Sequence, residues 1–144
     1  MEYFQIPKTN LKASRLALGC MRIADKSFQQ VEELVQTALD NGINFFDHAD
    51  IYGGGQSEAI FGEVLKAHPD YRQKMIIQTK CGIVPGKRYD FSKEHILEAA
   101  EGILNRLGTE YLDFLVLHRP DTLMEPEEVA AAFEKLHQDG KVRH

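Results

Sequence analysis

The sequence predicts an α/β fold in which parallel strands alternate with covering helices. Short apolar runs rich in β-forming residues recur about every 30 residues, and an amphipathic segment with helical spacing follows each of them. Strands that alternate with helices form a parallel sheet with helices packed on it. Ionisable side chains also stand at the ends of the second, third and fourth strands, which is typical of a (βα)8 barrel.

The first elements are an N-terminal hairpin and one strand–helix unit. The stretch "YFQIPKTNLKAS", residues 3–14, has two extended pieces around a Pro-Lys-Thr-Asn turn and therefore predicts a β-hairpin. Residues 16–19 ("LALG") follow as a short strand. Ser27, with Gln30 three residues later, predicts a capping box at the start of the first helix, which residues 41–42 (Asn-Gly) end.

The second and third units repeat this order. Residues 43–46 ("INFF") predict a strand, and Ser57 is expected to cap the second helix, which Pro69 must end. Residues 75–78 ("MIIQ") predict the third strand, and Ser92 caps the helix that follows it.

The fourth unit and the chain length define the expected extent of the fold. Residues 112–117 predict a strand, Pro126 suits the first turn of the fourth helix, and residues 141–144 ("KVRH") begin a fifth strand. A full barrel takes roughly 250 residues, so we expect a single domain of residues 1–144 that supplies about half of a barrel. A doubly wound sheet would instead place GxGxxG after the first strand, where "GCMRIADKS" stands.

Composition and charge exclude several classes of function. The net charge is −5 with acids and bases interspersed, which argues against a nucleic-acid-binding protein. No apolar run approaches the roughly 18 residues of a membrane helix, and the N-terminus lacks a signal-peptide pattern. Cys20 and Cys81 form no CxxC pair, which favours reduced, buried thiols and a cytoplasmic location.

Asp47, Tyr52, Lys80 and His118 follow three successive strand ends and are expected to converge. An ammonium beside a phenol stabilises the phenolate, so Lys80 would make Tyr52 a usable general acid. Asp47 would anchor the ammonium through a charge-assisted hydrogen bond, and His118 would orient and polarise a substrate carbonyl. The combination predicts acid–base chemistry by proton transfer.

The stretches "FFDHADIYGGGQSE", "IIQTK" and "LDFLVLHRPD" together resemble the aldo-keto reductase family. This resemblance implies an oxidoreductase on a TIM-type barrel that uses NADPH, without a metal, to reduce aldehydes or ketones to alcohols. Matched by position, the catalytic tetrad would be Asp47, Tyr52, Lys80 and His118. The resemblance also implies that the nicotinamide site is lined by Gly19, Cys20, Met21 and Asp47.

The chain departs from this family at two positions and in its extent. Position 48 is His where many members have Thr, and position 50 is Asp. In the family, the group that stacks on the nicotinamide and the loop that holds the adenosine 2′-phosphate lie beyond the fifth strand. A half-barrel would also expose strand edges and interior apolar surface, so we expect self-association.

Two other functions remain open at this stage. One is a binding or regulatory protein on a reductase fold without catalysis, because fold alone does not define function. The other is a metal-dependent barrel hydrolase or isomerase whose ligands would be Asp47, His48, Asp50 and His118. The absence of HxH or HExxH spacing argues against the metal site, and these residues do not identify the substrate.

Overall fold

A four-stranded parallel sheet forms the centre of the computed structural model, which describes residues 1–144. In chain order the elements are β1 (Tyr3–Gln5), β2 (Lys12–Ser14), β3 (Ala17–Gly19), α1 (Phe28–Asp40), β4 (Phe45–Asp47), α2 (Gln56–Ala67), β5 (Ile76–Cys81), β6 (Ile83–Val84), β7 (Arg88–Tyr89), α3 (Lys93–Leu107), β8 (Phe114–Leu117) and α4 (Pro126–Gln138). The sheet order is β3-β4-β5-β8, and all its pairings are parallel. The predicted α/β class with a parallel sheet is therefore confirmed.

The four helices pack on one face of this sheet and enclose the core. Successive helices contact one another, and a single cluster of buried apolar side chains joins them to the strands. Both cysteines are buried and free, as expected. No helix has the length and apolar character needed to cross a membrane.

The predicted hairpin and helix caps are confirmed. β1 pairs antiparallel with β2, and the backbone N–H of Ser27 donates to Gln30 Oε1 while the Gln30 N–H donates back to Ser27 Oγ. The Ser92 hydroxyl likewise accepts from the N–H of His95. The antiparallel hairpin β6–β7 has no counterpart in the sequence prediction, because strands of two residues leave no periodic pattern.

Ser57 does not cap the second helix, contrary to the prediction. The helix begins at Gln56, and its N-cap is Gly55, two residues before the predicted cap, with no side-chain hydrogen bond. A 3-10 turn over Tyr52–Gly55 runs straight into α2, so the Ser57 position is already helical, and its buried hydroxyl has no partner. Three consecutive glycines with positive φ values, residues 53–55, thus lead into the helix in place of a capping side chain.

Strand boundaries also differ from the prediction. β4 begins at Phe45 because Asn44 is bound to the hairpin: its side-chain oxygen accepts from the Ser14 N–H at 2.8 Å. β5 continues to Cys81, beyond the predicted 75–78. The expected fifth strand at 141–144 is a single parallel bridge between Val142 and Leu112.

A buried ionic cluster joins the amino ends of β5 and β8. Arg72 donates to Asp113 Oδ2 at 2.9 Å and to main-chain carbonyls of Met75 and Tyr111. The same carboxylate accepts the N–H of Ile77, the second residue of β5, at 3.0 Å. Only 2% of the Asp113 side chain is exposed, so this buried pair joins the two strands from within the fold.

Candidate active site

Three strand ends bring the predicted residues to the carboxyl edge of the sheet. Asp47 is the last residue of β4 and pairs in register with Gln78, while Lys80 in β5 pairs with Val116 in β8. His118 follows β8 directly, and its N–H donates to the Cys81 carbonyl at 2.8 Å. Because side chains alternate along a strand, this register places Asp47 and Lys80 on the face opposite the helices.

Lys80 is the centre of the cluster. Its Nζ lies 2.8 and 2.9 Å from the two carboxylate oxygens of Asp47, 2.7 Å from the carbonyl of His48 and 3.2 Å from Tyr52 Oη. An ammonium has three protons, and these acceptors use one each: the carboxylate, the carbonyl and the phenol oxygen. The Tyr52 oxygen therefore accepts from Lys80, which leaves its own proton free to be donated elsewhere.

His118 stands on the other side of the tyrosine. The His118 and Tyr52 rings meet edge to face with centroids 6.1 Å apart. Desolvation, helped by the charges of Lys80 and Arg119, lowers the pKa of His118, so the imidazole is neutral at pH 7. Arg119, next in the chain, has a left-handed φ of 91°, a conformation that costs energy in a residue with a side chain and is common at functional sites.

Gln78 is a member of the cluster that sequence reasoning missed. Its Nε2 donates to Asp47 Oδ1 at 2.7 Å, beside the bond from Lys80. The signal was present in the sequence, because Gln78 and Lys80 are two apart in one strand and so share a face. The two donors together hold the Asp47 carboxylate in one orientation.

The residues expected beside a nicotinamide differ in how much open surface they present. Gly19 pairs with Asp47 in register, and no atom lies within 4 Å of the position that a Cβ would take there. Met21 is 51% exposed. Cys20 has no exposed surface, and its N–H donates to the Asp47 carbonyl at 2.9 Å. Gly19 and Met21 thus present open surface beside Asp47, whereas Cys20 joins β3 to β4.

His48 and Asp50 lie behind the cluster rather than in it. The His48 ring packs edge-on against Phe61 of α2 with centroids 4.5 Å apart, and burial lowers its pKa to about 3. Burial and the nearby Glu58 raise the pKa of Asp50 to about 6. Asp47, His48, Asp50 and His118 form no common cluster, and no group of three or more His, Cys, Asp or Glu side chains is arranged to hold a metal ion.

Comparison with known proteins identifies what this arrangement is similar to. The model of the Aldo/keto reductase family matches residues 15–144. Oxidoreductase YdhF of Escherichia coli is 46% identical over 140 residues, and the match covers 91% of this chain and 47% of that protein. A 6-dehydroglucose reductase of Novosphingobium aromaticivorans is 40% identical over 147 residues, covering 96% of this chain and 48% of that protein.

A solved structure extends the likeness to the fold. The holo form of aldo-keto reductase AKR11C1 from Bacillus halodurans superposes with a TM-score of 0.88 at 34% identity, covering all of this chain and 49% of that one. The chain spans about half the length of the curated relatives that it matches.

Proposed function

The chain belongs to the aldo/keto reductase family, and from this premise we propose that the whole protein reduces aldehydes or ketones to alcohols with a nicotinamide cofactor. One observation carries the proposal: the Lys80 ammonium contacts both the Asp47 carboxylate and the phenol oxygen of Tyr52. Lysine is seldom buried at a strand end without a reason. The contact with the Tyr52 phenol points to a chemical reason, since the fold does not require it.

In the proposed reaction, Tyr52 donates its proton to the carbonyl oxygen of the substrate. Lys80 already donates a hydrogen bond to the Tyr52 oxygen, so the negative charge left on that oxygen is stabilised as the proton leaves. His118, neutral at pH 7, donates a hydrogen bond to the same carbonyl and so directs it toward the tyrosine. Asp47 keeps the ammonium in place throughout.

A nicotinamide cofactor supplies the reducing equivalent when bound, and the open surface beside Asp47 fits its ribose end. A carboxylate can accept about four hydrogen bonds, and Asp47 accepts one from Gln78 and two contacts from Lys80. The 28% exposure of its side chain leaves the remaining acceptor site open to a hydroxyl. Gly19 and Met21 would flank that group, and the choice of NADPH rests on the family.

Proposed substrates are small carbonyl compounds, with carbonyl-bearing sugars as a specific candidate. Two relatives, 40% and 41% identical, are named 6-dehydroglucose reductase. The remaining structural expectations are also proposals. Residues 1–144 would supply about half of a single closed (βα)8 barrel domain in the whole protein, supported by the solved relative. The protein would be cytoplasmic, supported by the two free thiols.

The proposal is tested by cofactor binding and by one substitution. NADPH fluorescence is titrated against the whole protein, and reduction of 4-nitrobenzaldehyde by the whole protein is followed in the presence of EDTA. Tyr52→Phe is expected to lower turnover by roughly 100- to 10,000-fold while NADPH binding is retained, because only the proton donor is removed. Tyr89→Phe, at an exposed tyrosine of β7, is the matched control and should leave both unchanged.

Two outcomes contradict the reductase. Turnover that survives Tyr52→Phe would remove the tyrosine from the reaction. Absence of NADPH binding would favour the binding or regulatory alternative, for which a relative named putative voltage-gated potassium channel subunit beta, 36% identical, is a precedent in this family.

We also propose that the 144-residue chain associates with itself when it is produced alone. The outer edge of β3 has no strand partner, and Leu16 and Val116 expose 59% and 39% of their surface. Size-exclusion chromatography with light scattering is expected to give a mass above the 16.4 kDa of one chain. A monomeric peak that also melts cooperatively would contradict this proposal.

A further inference from the structure

Glu58 is a fully buried carboxylate in the first turn of α2, and it is bonded to two other elements. Its Oε1 accepts from the Thr79 hydroxyl of β5 at 2.7 Å, and its Oε2 accepts from Arg106 of α3 at 2.9 Å. Burial raises the pKa of Glu58, and these two partners act against that shift by stabilising the charged form. One side chain thus joins α2, β5 and α3 behind the proposed active site.

The fold is shaped to admit Arg106 at this place. A Cβ on Gly55 would lie 3.0 Å from Arg106 Cδ, and a Cβ on Gly102 would lie 3.0 Å from its Nη1. At Gly62 a Cβ would lie 2.2 Å from the Arg106 carbonyl oxygen, so α2 and α3 approach as closely as they do only because that residue is glycine. Gly55 belongs to the turn that carries Tyr52, and the Arg106 side chain therefore lies directly on that turn.

The Tyr52 turn has little rigidity of its own. Gly53, Gly54 and Gly55 follow Tyr52 with φ values of 58°, 64° and 92°. Glycine has the widest choice of backbone conformations, so three in succession provide no local preference for this one. The position of Tyr52 must then depend on how the two flanking segments are anchored, and Glu58 is the buried polar anchor on the α2 side.

Glu58 is also connected to Lys80, the residue that contacts Tyr52. Thr79, which donates to Glu58, immediately precedes Lys80 in β5. The alternation of side chains along the strand puts Thr79 on the helix face and Lys80 on the opposite face. A displacement of α2 relative to β5 would therefore change the distance between Tyr52 and Lys80.

We propose that Glu58 is a positioning residue which, through Thr79 and Arg106, holds the Tyr52 turn so that Tyr52 Oη stays 3.2 Å from Lys80 Nζ. The effect of Glu58 on catalysis rests on the proposed function. The effect of Glu58 on the position of Tyr52 does not, because the Tyr52–Lys80 contact can be measured without turnover.

The test measures the coupling between Lys80 and Tyr52 by NMR. In the whole protein, labelling with 13Cζ-tyrosine gives one resonance for each tyrosine, and the resonance absent in Tyr52→Phe is that of Tyr52. In the parent protein at pH 7, Lys80→Met is expected to shift this resonance, because it removes the hydrogen bond to the phenol oxygen. We define the coupling as the change in the Tyr52 chemical shift that Lys80→Met causes. The same change is then measured in proteins that also carry a substitution at Glu58 or Thr79.

Glu58→Gln and Thr79→Val are expected to reduce the coupling by at least half. Thr79→Ser keeps the hydroxyl and should restore the parent value, which a general loss of packing at this site would not do. Asp113→Asn is the matched control at a second buried acid, at the opposite end of the sheet, and should leave the coupling unchanged. If Glu58→Gln does not fold, the Thr79→Val and Thr79→Ser pair decides the question.

The possible failures are distinguishable. Unchanged coupling in Thr79→Val and in folded Glu58→Gln would overturn the positioning role and leave the tetrad intact. Equal loss in Thr79→Val and Thr79→Ser would also overturn it, since the hydroxyl would then not matter. If Lys80→Met does not shift the Tyr52 resonance in the parent protein, the proposed Tyr52–Lys80 pair itself is wrong, and the positioning role is overturned with it.

Discussion

The two ends of the parallel sheet hold ion pairs of similar chemistry whose carboxylates differ in their exposure to solvent. At the amino end, Arg72 and Asp113 are 12% and 2% exposed, and Arg72 also donates to a hydroxyl and two carbonyls. At the carboxyl end, Lys80 and Asp47 are 15% and 28% exposed. There Asp47 keeps an open acceptor site, and the tyrosine beside the pair keeps its proton free.

The difference shows how one interaction type serves two purposes. A cation–carboxylate pair whose carboxylate is closed off from solvent can only hold strands together. A pair that leaves a proton and a lone pair facing solvent can act on a ligand. The groups with shifted pKa values next to the Lys80 pair, His48, Asp50 and His118, lie at that same carboxyl end, as is common near functional sites.

The largest expected effect is acid destabilisation through His48. Its pKa is about 3 in the folded chain against 6.5 for the free side chain, so the unfolded chain binds the extra proton. His48 stabilises the fold above pH 6.5, and this contribution, about 5 kcal/mol, is lost as pH falls toward 3. Urea unfolding of the parent and of His48→Phe from pH 4 to 8 should show a shallower acid decline in the variant. Parallel curves would contradict the burial of a neutral imidazole.

Asp113→Asn should next separate stability from activity. Removing one charge of a buried pair leaves the other uncompensated, so we expect a loss of about 3–5 kcal/mol in the free energy of unfolding. Turnover per folded molecule should stay at the parent value, because Asp113 lies at the end of the sheet away from Tyr52. Denaturant melts and turnover, both corrected for the folded fraction, give the two quantities.

Asp47→Asn is the matched control at the carboxyl end, with the opposite outcome. Its pair with Lys80 is more exposed, so we expect a stability loss of about 1 kcal/mol. Turnover should fall about 100-fold, because the ammonium that supports Tyr52 is no longer held by a charge. If the two variants behave alike in either measurement, the distinction between the ends of the sheet is wrong.

The smallest effect is expected at Asp50. Its raised pKa of about 6 means that it stabilises the fold fully below pH 4 and loses this contribution as pH rises through 6. Asp50→Asn should therefore stabilise the chain at pH 7 by about 1–2 kcal/mol, after allowance for partial exposure, and by nothing at pH 4. An equal effect at the two pH values would show that charge is not the cause.

Local sequence patterns were sufficient for the fold class and for the convergence of the predicted tetrad. Strand–helix alternation predicts the parallel sheet, and a parallel sheet brings successive carboxyl ends together, so Asp47, Lys80 and His118 could be placed without coordinates. Their catalytic roles stay a prediction. The same local patterns misplaced the start of α2, because a serine before an apolar run indicates a cap whether or not glycines already continue the turn.

Only the tertiary structure decided the burial and charge state of residues whose neighbours are distant in sequence. Glu58 has the sequence pattern of an exposed acid in a first helical turn, yet it is fully buried because Thr79 and Arg106, 21 and 48 residues away, satisfy it. His48, one residue from Asp47, faces the helices and is neutral. Periodicity indicates which residues share a face, but burial and charge state depend on which distant groups pack against that face.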